Sequence, residues 1–142
     1  MTRLAWSGLL AVVLLAAGCG KVTDDYPSYV DAAAAGLFEQ AWLPHAVVPP
    51  SARLIRIVRQ LDDGEAQGWF HFPSVAFPAV VGRLSPYVPP AKLDPAIATY
   101  IAKNQTRGYE AFEALGADAH WLFLCSAAGG KCYFKRWTSR SD

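Results

Sequence analysis

Apolar side chains recur at helical spacing between residues 28 and 42. Ser28, with Asp31 three residues later, resembles a capping box that begins a helix, and Pro44 ends the pattern. The apolar positions follow one helix face: Val30, Ala34, Leu37, Phe38, Ala41 and Trp42. These residues therefore predict one helix that runs from residue 28 to residue 42.

Two runs rich in apolar and aromatic residues lie on either side of Asp63-Gly64. They predict a β-hairpin with strands at 53–61 and 65–72. Alternation places Phe70 and Phe72 on one strand face and puts Trp69 and His71 on the other. In the first strand Arg56 is out of phase with the arginines at 53 and 59. The pattern thus predicts no row of arginines that could bind an anion.

Prolines dominate residues 73–90, which predict an ordered, apolar loop with one short strand near residues 79–83. Long ordered loops are often functional, so this one is a candidate binding surface. Asp94-Pro95 begins a second helix, with Asp as the N-cap and Pro in the first helical position. Residues 109–115 fit either a helical turn or a strand.

A second hairpin joins residues 120–125 to residues 132–137 through a six-residue loop. If Cys125 lies opposite Cys132, Phe123 lies opposite Phe134 and Trp121 lies opposite Arg136. Two hairpins and two helices predict an α+β domain with a small antiparallel sheet.

The N-terminus carries Arg3, an apolar run to Ala17, and then Gly18-Cys19. This order is typical of a bacterial lipoprotein signal peptide that is cleaved before a lipid-bearing cysteine. The run is shorter than the roughly 20 residues that a spanning helix needs. Plain secretion and a retained anchor are the alternatives. We expect a signal peptide at residues 1–18, a tether at 19–27 and one α+β domain at 28–142, lipid-anchored through Cys19.

Composition narrows the classes of partner. The whole chain has 13 Lys and Arg against 12 Asp and Glu, and no basic stripe, which argues against nucleic acid as a partner. Gly20 follows Cys19, where an Asp would favour the inner membrane. In a Gram-negative cell we therefore expect the outer membrane, with the domain in the periplasm.

Cys125 and Cys132 remain once Cys19 is assigned to lipid. An oxidising compartment favours a disulfide between them, and their spacing does not match a CxxC metal pair. None of the three histidines sits in a metal-ligand spacing, and no GxSxG motif selects a nucleophile. We therefore expect no metal, no cofactor and no catalytic residue.

Aromatic residues are the remaining candidates for a binding site. Trp69 and Trp137 fall out of phase with the phenylalanines of their strands. Together with His71 they predict an exposed binding patch for a peptide, a glycan or a partner protein. Packing in the core or at its rim is the alternative for the two tryptophans.

Several short motifs resemble those of a group of small uncharacterised bacterial proteins, many of them lipoproteins. The motifs are Trp42-Leu43-Pro44, Pro50-Ser51-Ala52, Ile55, Leu61-Asp62, Phe70-His71-Phe72 and the aromatic C-terminal hairpin. The resemblance implies the architecture and no established activity. We expect a non-enzymatic envelope lipoprotein that binds an envelope protein or supports the envelope. An immunity protein against a toxin and a small periplasmic hydrolase are the alternatives.

Overall fold

One antiparallel sheet organises the chain, and a computed structural model describes residues 20–138. In this part of the chain the sheet has seven strands in the order β1-β2-β3-β7-β6-β5-β4. The α+β class is as predicted, but the sheet is larger than the two hairpins predicted, and three helices accompany it. The strands are β1 Lys21–Ser28, β2 Arg53–Gln60, β3 Ala66–His71, β4 Ser85–Pro86, β5 Glu110–Leu115, β6 Ala119–Ser126 and β7 Lys131–Thr138. The helices are α1 Tyr29–Ala34, α2 Phe77–Val81 and α3 Pro95–Gln105.

The predicted tether is wrong for most of its length, because residues 21–28 form the edge strand β1. This strand pairs antiparallel with β2, and its side chains alternate between exposed and half-buried. Acidic residues of β1 face basic residues of β2: Asp24 contacts Arg59, and Asp25 contacts Arg56. These cross-strand pairs explain how a short polar segment joins the sheet.

Helix α1 is shorter than the predicted helix. Ser28 caps it as expected, since its hydroxyl accepts a hydrogen bond from the amide of Asp31. The helix ends at Ala34, and the left-handed conformation of Gly36 (φ 81°) turns the chain away. The following segment 35–52 contains no regular helix, although it supplies buried core residues: Leu37, Leu43, Val47, Val48 and Ala52.

A buried arginine fastens segment 35–52 to the sheet. Arg136 of β7 is only 9% exposed, and its Nε donates a hydrogen bond to the carbonyl of Ala41 at 3.1 Å. Another guanidinium nitrogen donates to the carbonyl of Gly64. The guanidinium lies 4.9 Å from the ring centroid of Trp42 and 5.7 Å from that of Trp121. Burial lowers the pKa of Arg136, and no carboxylate in residues 20–138 pairs with it.

Trp42 thereby becomes the centre of a small cluster rather than the end of a helix. Arg59 lies 5.4 Å from its ring centroid, in addition to Arg136. Its carbonyl accepts a hydrogen bond of 3.0 Å from the indole nitrogen of Trp121. Cation–π contacts and hydrogen bonds together hold segment 35–52 in place, because its backbone belongs to no helix or strand.

The proline-rich stretch is ordered but contains helix α2 where a short strand was predicted. The prediction is wrong because Pro78 occupies the first turn, where a proline costs no hydrogen bond. Two residues of this stretch, Ser85 and Pro86, form strand β4 opposite β5. Helix α3 begins as predicted, with the Asp94 carboxylate accepting from the amide of Ala96.

The sheet has two differently covered faces. The inner face carries Ile55, Ile57, Phe70, Phe123 and Phe134, and it packs against segment 35–52, α1 and α2. The outer face carries a smaller cluster on β5, β6 and β7, where α3 covers Leu122 and Leu124 through Ile101. Within residues 20–138, helix α3 packs mainly on β5 and β6, and its start at Asp94 and Ile97 borders a groove beside β2 and β3.

The β6–β7 hairpin has the predicted register. Cys125 lies opposite Cys132, Phe123 opposite Phe134 and Trp121 opposite Arg136. The two cysteines are buried on the inner face and joined as a disulfide, with their Cα atoms 4.1 Å apart.

Two further findings concern the membrane. Residues 20–138 contain no helix that is both long enough and apolar enough to span a bilayer. The predicted signal peptide and Cys19, the predicted site of lipid attachment, lie outside the described residues.

Loss of the disulfide should weaken the fold. The double variant Cys125→Ala/Cys132→Ala should lose about 2.5 kcal/mol of unfolding free energy, because the bridge closes a short loop in the unfolded chain. Denaturant unfolding measures this difference, and a reductant should then change only the parent protein. Thiol labelling of the denatured, unreduced mature protein should find no free thiol at either position; full labelling of both would contradict the bridge.

Candidate functional site

The uncovered part of the outer face places basic and aromatic side chains side by side. Trp69 of β3 lies opposite Tyr133 of β7, and His71 lies opposite Lys131. Alternation directs these four side chains away from the core, because their strand neighbours Phe70, Cys132 and Phe134 are buried. Two adjacent strands therefore present one continuous surface.

A β-bulge in β2 adds two arginines to the same surface. Arg53 pairs with His71 and Arg56 with Trp69, so three steps along β2 match two steps along β3. The bulge includes Leu54, whose φ of 49° lies in the left-handed region. The prediction that Arg53 and Arg56 point to different faces is wrong. The extra residue of the bulge places both side chains on the outer face.

The cations lie close to the aromatic rings. Lys131 Nζ is 4.7 Å from the ring centroid of Trp69 and 4.4 Å from that of Tyr133. Arg56 lies 5.1 Å from the Trp69 centroid on the other strand. Such distances are typical of cation–π contacts, which orient the charged groups.

The loop after α3 extends this surface. The buried Tyr109 supports it from below, with its ring centroid 5.3 Å from that of Tyr133, and the exposed Arg107 lies 5.6 Å from the Tyr109 ring. We call the whole set the cationic–aromatic patch, and it consists of Arg53, Arg56, Trp69, His71, Arg107, Tyr109, Lys131 and Tyr133.

The patch has an excess of positive charge. Asp25 binds Arg56 through two hydrogen bonds of 2.6 and 3.0 Å. Within residues 20–138, no carboxylate lies within salt-bridge distance of Arg53, Arg107 or Lys131. Three cations of the patch are thus available to a negatively charged ligand.

The surroundings also lower the pKa values of two residues of the patch, His71 and Tyr133. Burial lowers the pKa of His71, and Lys131 and Arg53 lower it further. Lys131 beside the phenol is the main cause that lowers the pKa of Tyr133; Arg107 acts in the same direction and burial opposes both. Burial is the larger cause for His71 and Lys131 is the larger cause for Tyr133, and the cations act in the same direction on both. The arrangement can therefore bind and orient an anion.

Trp137 does not join the other two residues of the predicted binding patch. It lies on the same sheet face as Trp69 and His71, but four residues beyond Tyr133 on β7, or about 13 Å along the strand. There its ring stacks on His120 with centroids 5.0 Å apart. Both residues line a surface groove of about 550 Å³ between the proline-rich stretch and α3.

Sequence reasoning found two residues of the cationic–aromatic patch and missed the rest. The outward phase of Lys131 and Tyr133 follows from the predicted hairpin register, so this signal was present. The bulge at Leu54 and the position of Arg107 had no local signal. Across residues 20–138, no group of three histidine, cysteine or acidic side chains is placed to hold a metal ion.

Tyr133 should ionise at a lower pH than an ordinary tyrosine. Lys131→Gln should raise the pKa of Tyr133 because it removes the nearby positive charge, while the exposed control Lys92→Gln should leave it unchanged. The ultraviolet absorbance of tyrosinate, compared with Tyr133→Phe, gives the titration of this one side chain. An unchanged Tyr133 titration in Lys131→Gln would argue against the contact.

Comparison with known proteins gives one finding. Residues 20–71 match the family model described as the YbbD head domain. No curated protein and no solved structure matches the chain. The matched part comprises β1, α1, segment 35–52, β2 and β3, including Trp42 and Arg53 but not β7. Over this region the chain is similar to the YbbD head domain.

Proposed function

We propose that the chain is a lipid-anchored envelope lipoprotein that acts as a non-enzymatic binding or accessory protein. The observation that carries the binding role is the cationic–aromatic patch on the open face of the sheet. The opposite face of the sheet is filled by the core, whereas the patch places cations and aromatic rings together on the outer face. Export and anchoring rest on the N-terminal pattern that ends in Gly18-Cys19.

The disulfide supports an oxidising compartment. Cys125 and Cys132 are paired across β6 and β7, and such bridges persist in the periplasm or outside the cell. A short connection to the lipid also fits, because β1 begins at Lys21, two residues after Cys19. In a Gram-negative cell the outer membrane is the proposed location.

Anchoring can be measured on the protein made by its own cell. Mass spectrometry should find Cys19 as the first residue, carrying acyl groups, and membrane fractionation should find the protein with the outer membrane. Cys19→Ser should remove the protein from the outer-membrane fraction, because the thiol that carries the lipid is lost.

The control for this experiment is the double variant Cys125→Ala/Cys132→Ala. It should remain in the membrane fraction, since its cysteines carry no lipid. Persistence of residues 1–18, or an unmodified Cys19, would overturn the proposed anchoring. Outer-membrane association of Cys19→Ser equal to that of the parent would also count against it.

A further inference from the structure

We propose that the cationic–aromatic patch binds an acidic segment of a partner protein. The inference rests on the proposed function for the compartment in which the partner is met. The binding chemistry itself rests only on the described residues.

The spacing of the cations suits a chain of negative charges. Arg53 of β2 and Lys131 of β7 lie at the two ends of one row, with the imidazole of His71 on β3 between them. Neighbouring strands are about 4.8 Å apart, so Arg53 and Lys131 originate about 10 Å from each other. Alternate side chains of an extended peptide are about 7 Å apart, so two or three of its carboxylates can reach this row. A single small anion spans less of this row than an extended peptide does.

The occupied rings favour a peptide over a sugar. The Trp69 ring already has Arg56 within 5.1 Å and Lys131 within 4.7 Å. These cations compete with a sugar for the ring of Trp69. The same contacts restrict the side chains of the cations, which lowers the entropy lost when they bind carboxylates. Charge complementarity is therefore the main source of recognition.

The position of the patch argues against the lipid headgroups of the anchoring membrane as its ligand. Arg56 lies opposite Asp25, and Arg53 lies opposite Ser28, the last residue of β1. At about 3.3 Å per residue, Ser28 is about 23 Å along the strand from Lys21. If the lipid is attached at Cys19, the patch lies towards the end of β1 that is far from the attachment point.

The test uses the full protein in non-ionic detergent and a fluorescein-labelled hexaglutamate peptide as the probe. Fluorescence anisotropy should show binding that weakens as the salt concentration rises. The double variant Arg53→Gln/Lys131→Gln should raise the Kd about tenfold or more, because two charge-assisted contacts are lost. The matched control Arg83→Gln/Lys92→Gln removes two exposed cations outside the patch and should leave the Kd within about twofold.

Four results would overturn the proposal. The first is no binding of hexaglutamate by the parent protein. The second is an equal loss in the patch variant and in the control, which would indicate a general charge effect. The third is full displacement of the peptide by inorganic phosphate at a similar concentration. The fourth is stronger binding to vesicles that contain phosphatidylglycerol. Thermal unfolding of each variant checks that the fold is retained.

Failure of this test is distinguishable from failure of the proposed anchoring. An acylated Cys19 together with no peptide binding would reject the ligand class alone. Peptide binding by a protein that retains residues 1–18 would reject the anchoring alone.

Discussion

The guanidinium of Arg136 is the contact on which the arrangement of the inner face depends. It connects three parts of the chain that are distant in sequence: β7, the turn at Gly64 and the segment 35–52. A buried cation without a carboxylate is costly, and here backbone carbonyls and two tryptophan rings compensate for the lost water. Segment 35–52 can therefore cover the sheet without forming a helix or a strand.

Strand β7 links the core to the candidate site. In β7 the side chains of Cys132, Phe134 and Arg136 point inward, so Lys131 and Tyr133 must point outward. A slip of one residue would exchange the two sets and would place charged groups in the core. The disulfide and Arg136 act at the two ends of this register, and together they fix where the positive charges of the outer face appear.

Local signals in the sequence were sufficient for some elements of this fold. Asp63-Gly64, the Asp94-Pro95 cap and the cysteine pair predict a hairpin turn, a helix start and a strand register without distant partners. Other elements depend on partners far along the chain, and these are the edge strand β1, segment 35–52 and the bulge at Leu54. Asp24 of β1 contacts Arg59, for example, and Ala41 of segment 35–52 accepts a hydrogen bond from Arg136. For the same reason Trp69 and His71 were predicted as site residues, whereas Arg53 and Arg107 were not.

Amide hydrogen exchange in Arg136→Lys tests the role of the buried guanidinium most directly. Lysine keeps the charge but lacks the planar fork that reaches two carbonyls. Exchange at the bonded amides of Leu37, Trp42 and Val47 should become faster, while the amides shared by β6 and β7 keep their protection. The exposed control Arg83→Lys should match the parent protein. Unchanged protection throughout segment 35–52 in Arg136→Lys would show that the arginine does not hold it.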